Sequence, residues 1–146
     1  MCGPASIKAL AAHYGVDVDE DRVKQIASST KRDGTPIDNM VDALRRLGFA
    51  VTSRDDATYS QLRSALEAGP VIVDWFSTDD GHYSVVTKAT EDEVVMMDPE
   101  RGKKRTMPRD EFERVWFDFS TDPGQEAPDG QLRRHVFIQV KPPQRS

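Results

Sequence analysis

Cys2, His82 and Asp98 are the residues of this chain whose types and order suit nucleophilic acyl transfer. That chemistry needs a thiol to attack, an imidazole to carry the proton and a carboxylate to hold the imidazole. Cys2 is the one cysteine present, so it can form no intramolecular disulfide and no thiolate-rich zinc site. It stands just before Gly3-Pro4-Ala5-Ser6, where the proline marks a helix opening. A thiol at a helix opening feels unpaired N–H groups and the positive end of the helix dipole, and both favour thiolate. Such placement lowers a cysteine pKa by about one unit or more from about 8.5. Taken alone, a lone cysteine is more often a small buried apolar residue.

His82 follows the turn Asp79-Asp80-Gly81 and begins a strand, which puts its ring at a strand end, where a cleft can form. Asp98 closes the following strand, just before Pro99. A hairpin folds the two strands together, and Asp98 can then orient the imidazole through its Nδ1–H. Singly, each has a plainer explanation. Asp-Pro is a common turn former, and a histidine after a turn is as readily a solvated loop residue. The ordered set carries the case. His13 falls inside the first helix beside Tyr14 and reads as structural; His135 opens the last strand and reads as surface. Three dispersed histidines show no ligand spacing, so no metal and no cofactor is expected.

The first half of the chain must supply the helix that carries Cys2. Ile7, Leu10, Ala11 and Tyr14 recur at helical spacing until Gly15. Asp19 caps a second helix with Val23 and Ile26 inward. Gly34, Thr35 and Pro36 open a third, with Thr35 as N-cap and Ile37, Met40, Val41, Leu44 and Leu47 as its apolar stripe. A short strand over 49–52 precedes a fourth helix, capped by Thr58 and ended by Gly69. The second half must supply the sheet. Residues 70–76 form a near-continuous apolar strand, 82–87 and 93–97 an antiparallel hairpin, and 104–107 a further strand. Pro108 opens a short helix carrying Phe112, Val115 and Trp116; 120–130 is a loop and 134–140 the last strand. Trp75 and Tyr83 are expected to pack in the core beside a cleft. Helices first and antiparallel strands later give an α+β domain.

The chain has 146 residues, 37% hydrophobic and 31% charged, which suits one soluble domain over 1–146. Net charge is −5, and the cluster Arg101, Lys103, Lys104 and Arg105 reads as a solvated turn. A nucleic-acid partner would need a basic face with aromatics to stack on, and none is expected. No apolar run approaches the roughly 20 residues of a membrane span. No secretory signal opens the chain, so a cytoplasmic location is expected. The thiol motif begins right after Met1, as it would in a chain from which an upstream segment is missing.

The series Cys2-Gly-Pro-Ala-Ser6, Gly34-Thr35, Gly69-Pro-Val-Ile-Val73, His82-Tyr-Ser-Val-Val86, Asp98-Pro99 with Gly102, and Glu111-Phe112 before Trp116 is a wider pattern. It resembles the bacteriocin-processing, double-glycine leader peptidase family and its standalone relatives, in the papain-like clan. The resemblance runs from Cys2 to about Trp116, in the family's order. It implies a papain-like cysteine proteinase fold, an N-terminal helical half packed on a C-terminal antiparallel sheet, with a cleft between them. It also implies Cys2 as nucleophile, His82 as general base and acid, and Asp98 as orienting carboxylate. The substrate would be a peptide or protein cut after small residues, usually two glycines. Family members usually carry a glutamine shortly before the cysteine that helps form the oxyanion hole; here only Met1 precedes Cys2. Losing one such donor costs about 10² to 10³ in turnover.

Two functions from different classes follow. One is a cysteine peptidase-like hydrolase; the other is a catalytically impaired peptide-binding domain of the same fold, which the absent glutamine favours. A third reading keeps the same Cys–His–Asp order for another thiol enzyme, such as a cell-wall amidase or an acyltransferase.

Overall fold

Helical periodicity in the opening third of the chain yields three helices, α1 Cys2–His13, α2 Glu20–Ile26 and α3 Ile37–Arg46. The computed structural model describes residues 2–27, 35–76, 81–98, 102–120 and 131–142; the side chains of Cys2, Ser120 and Gln131 lie outside that description. Ile7, Leu10 and Ala11 of α1 are fully buried, and Gly15 ends the run at a left-handed φ of 77°. The helix opens at Cys2 itself rather than after it. Pro4 therefore sits in the first turn, where a missing N–H still costs no internal bond. The Asp19 carboxylate accepts from the Asp21 backbone N–H at 3.1 Å and caps α2 as expected.

Thr35 departs from expectation. Pro36 takes the N-cap position of α3, without a side-chain cap bond, and Thr35 is instead a buried residue. Its surroundings explain this: Thr35 is wedged beside Gly3, and its carbonyl accepts from the Tyr83 hydroxyl at 2.7 Å. Gly34 lies outside the described residues.

Strand β1 is Ala50–Arg54, and α4, Tyr59–Leu66, begins with a reciprocal cap between Thr58 and Gln61. Then come β2 Val71–Phe76, β3 Gly81–Ala89, β4 Glu93–Asp98, β5 Lys103–Pro108, α5 Arg109–Val115, β6 Phe117–Ser120, β7 Gln131–Arg134 and β8 Phe137–Lys141. Six strands form one antiparallel sheet in the order β1-β8-β2-β3-β4-β5, while β6 and β7 pair separately. Alternation along β2 divides the core. Ile72 faces the layer of α1 to α3, and Val71, Val73 and Trp75 face α4 and α5. Both faces are covered, which is why this strand reads as unbroken apolar sequence. The α+β architecture expected from the sequence is present, with α4 crossing to join α5 on the far face.

Three smaller expectations change. Lys103, Lys104 and Arg105 lie on β5, an edge strand that contains the expected 104–107, so the basic cluster is not a turn; Arg101 lies outside the described residues. Ser120 ends β6, and the expected loop beyond it at 121–130 is likewise outside the described residues. The last strand is two. Arg134 closes β7, His135 turns the chain at a φ of 52°, and β8 starts at Phe137. His135 is therefore no plain surface residue. Its ring stacks on Trp116 with centroids 4.5 Å apart, and its Nδ1 lies 2.8 Å from the Ala57 carbonyl oxygen. His13 closes α1, exposed, with an edge contact to Tyr14.

Tyr59 supplies a pH-dependent element. Its hydroxyl donates to the Thr90 carbonyl at 2.6 Å, tying α4 to the β3–β4 turn, and the Arg109 guanidinium sits 4.2 Å above the ring. Burial pushes its pKa above the ordinary 10.0, with Arg109 and Arg63 pulling the other way. The neutral phenol is favoured in the folded state. Its stabilisation is whole below pH 10 and is lost as pH rises through the folded value. Urea unfolding between pH 8 and 11 should therefore show stability falling at the alkaline end, and Tyr59→Phe should flatten that fall. The variant should also lose about 1 kcal/mol at neutral pH through the missing hydrogen bond.

Candidate active site

His82 occupies the second position of β3, directly across from Trp75 on β2. The Trp75 indole is fixed by its Nε1–H, which donates to Ser84 Oγ at 3.0 Å, and the His82 ring meets the indole edge-on at 5.5 Å. Trp75 is thus core, as expected, and it also limits the swing of the half-buried His82 ring. The Arg105 guanidinium lies 5.3 Å from the same indole.

Asp98 ends β4, half-buried, opposite Lys103 of β5. At this end of the β3–β4 ladder Val86 pairs with Met96 and Val85 with Met97. Continued by one step, that register would set Asp98 opposite Ser84, with His82 as its diagonal neighbour. Diagonal neighbours in an antiparallel pair lie about 7–8 Å apart, within reach of long or aromatic side chains. His82, near the start of β3, and Asp98, at the end of β4, therefore stand at the same end of this antiparallel pair. Asp98 is followed by Pro99, which lies outside the described residues.

Cys2 is the first residue of α1, the helix that lies against β3 and β2. Its neighbour Gly3 presses into the start of α3. A Cβ built on Gly3 would stand 2.8 Å from Thr35 Oγ1 and 3.2 Å from Met40 Sδ, so only glycine fits without displacement. Thr35 in turn accepts from Tyr83, the residue after His82. A chain of direct contacts, Gly3 to Thr35 to Tyr83, ties the opening of α1 to the opening of β3.

One participant escaped sequence reasoning. Asp118 of β6 seats its carboxylate against the backbone of Gly81, immediately before His82. The alternation Phe117-Asp118-Phe119 is the signal of a strand that was available at that point.

Among the described residues no helix is long and apolar enough to cross a membrane. No group of three or more His, Cys, Asp or Glu among them could hold a metal ion.

The profile of the Peptidase C39 family matches residues 1–120. The lactococcin-G-processing and transport ATP-binding protein LagD of Lactococcus lactis is 31% identical over 119 residues, covering 79% of this chain and 16% of that protein. The pediocin PA-1 transport/processing ATP-binding protein PedD of Pediococcus acidilactici is 33% identical over 121 residues, with the same shares. The chain thus spans about 16% of the length of these curated relatives. Among solved structures, the peptidase domain of Streptococcus ComA, a bifunctional ABC transporter of a quorum-sensing pathway, superposes with a TM-score of 0.74 at 22% identity. That match covers 97% of this chain and 90% of that one. A double glycine motif protease from an AMS/PCAT transporter, in complex with its leader peptide, gives 0.70 at 22%, covering 97% and 84%. A putative C39-like peptidase from Bacillus anthracis gives 0.69 at 14%, covering 98% and 90%. Identities this low speak to the fold, which is the papain-like α+β fold of these peptidase domains. The chain belongs to the Peptidase C39 family.

Proposed function

We propose that the chain is a cysteine peptidase, one domain over 1–146, acting through Cys2, His82 and Asp98 on an extended peptide cut after two small residues. His82 takes the Cys2 proton, and the thiolate adds to the scissile carbonyl. As the tetrahedral intermediate collapses, the C–N bond breaks, and His82 returns the proton to the departing amine. Water, deprotonated by His82, then hydrolyses the thioester and restores the thiol. Asp98 holds the imidazole and stabilises its charged form. The observation carrying the reading is the contact chain Gly3–Thr35–Tyr83, which brings the opening of α1 beside the opening of β3. Tyr83 packs with α1, and His82 alternates to the other face; thiol and imidazole would meet over the end of the strand, not across its face. The name of the AMS/PCAT relative supports a double-glycine substrate.

Alkylation tests the pair directly. Iodoacetamide should label Cys2 about tenfold faster than a free thiol of pKa about 8.5 at neutral pH, since thiolate is the reacting form. His82→Ala should bring the rate back to the free-thiol value. Equal rates for the two proteins, or saturable binding of a Gly-Gly peptide with no product, would overturn the reading.

A further inference from the structure

We propose that Asp118 is a positioning residue for His82, acting through Gly81; the inference rests on the reading of His82 as the base. Gly81 is not in the left-handed region, so its lack of a side chain is not required by backbone conformation. It is required by space. A Cβ at this position would overlap the Asp118 carboxylate. That carboxylate is itself held, with Oδ1 accepting from the Phe119 backbone N–H at 2.7 Å.

Strand β6 grips the other member of the pair as well. Phe76 is the cross-strand partner of Gly81, and it stacks on Phe117 at 5.2 Å and meets Phe119 edge-on at 5.8 Å. Phe76–Gly81 is the terminal pair of the β2–β3 ladder, and His82–Trp75 is the next one in. Terminal pairs have few contacts of their own and open first. A base, by contrast, has to be held within about 3 Å of the proton it takes. The β6 strand supplies the missing restraint, anchored by Trp116, which is buried completely and donates its indole N–H to the Val136 carbonyl at 2.9 Å. A carboxylate on one partner and two phenyl rings on the other clamp the strand end that delivers the imidazole.

The test compares wild type with Asp118→Ala, Asp118→Asn, Gly81→Ala and the Gly81→Ala/Asp118→Ala double variant. The probe is a Gly-Gly aminocoumarin peptide, with the pH profile of iodoacetamide labelling at Cys2 and urea unfolding measured in parallel. Asp118→Ala and Gly81→Ala should each lower kcat about tenfold with KM little changed, because sub-ångström misplacement of a base falls on the chemical step. The histidine-linked rise in the labelling profile should weaken in both. Asp118→Asn, which keeps the shape and its hydrogen bond, should retain most activity. The double variant should be no worse than the poorer single, since both changes break one contact.

A wild-type kcat and labelling profile in Asp118→Ala would overturn the inference, as would fully multiplicative losses in the double variant. If Gly81→Ala fails to fold, the contrast between Asp118→Ala and Asp118→Asn decides alone. A wild-type profile without any histidine-linked step, unchanged by His82→Ala, would instead strike the Cys–His reading itself.

Discussion

Cys2→Ala should abolish hydrolysis of a Gly-Gly aminocoumarin peptide, lowering kcat/KM by about 10⁴-fold or more, because the covalent route then has no nucleophile. His82→Ala should lose nearly as much, and the double variant no more than the worse single. Residues that act as one unit do not contribute separately. Asp98→Ala should cost roughly one to two orders less, since it removes the orienting charge and leaves the attacking pair. Pre-steady-state assays with the same peptide supply the check: wild type should release a burst of aminocoumarin if thioester hydrolysis limits turnover. Hydrolysis surviving in Cys2→Ala would assign the chemistry to another group.

The second large effect is on stability and lies well away from the thiol. Trp116→Ala should destabilise the protein by about 3–5 kcal/mol, the usual cost of truncating a fully buried aromatic residue. The residue is 0% exposed, stacks on His135, packs against Phe112 at 5.0 Å and holds the Val136 carbonyl through its indole N–H. Its own carbonyl accepts from the His135 N–H at 3.0 Å, so α5, β7 and β8 meet at this one side chain. Total stability of a domain is about 5–15 kcal/mol, so the loss is a large share of it. Trp116→Phe should cost about 1–3 kcal/mol, much of it from leaving the buried Val136 carbonyl without its donor. The midpoint of urea unfolding reads both. A Trp116→Ala midpoint within error of wild type would show that the cluster carries little of the stability.

Local physics made much of the architecture legible before any coordinates. The apolar stripe Ile37, Met40, Val41, Leu44 gave α3, the Thr58 cap gave α4, and the two β-rich runs around Glu91 and Asp92 gave the central hairpin. Each of those signals is complete within a few residues. Failures came where the decisive contact is distant. Thr35 looks like an N-cap beside Pro36, but Tyr83 and Gly3 claim it across the molecule. His135 looks like a surface residue after two arginines, but its stacking on Trp116 and its contact with the Ala57 carbonyl give it a packing role. The pairing of β6 with β7 was missed because the alternation Phe117-Asp118-Phe119, though present, is too short to name a partner strand. At the site, residue types and order singled out Cys2, His82 and Asp98. The part of Gly81 stayed hidden, since a glycine after two aspartates reads as a turn until Asp118 is seen against it.

Strand β8 has a consequence for how the polymer is made. It lies between β1 and β2 and is the neighbour through which β1 joins the sheet. Ala50–Arg54 therefore waits for Phe137–Lys141 before its backbone edge is satisfied. On the ribosome the helical layer can collapse early, yet the ladder closes only after Phe137–Lys141 has emerged. Completion of the scaffold is thus tied to a segment outside the matched family profile, which ends at residue 120.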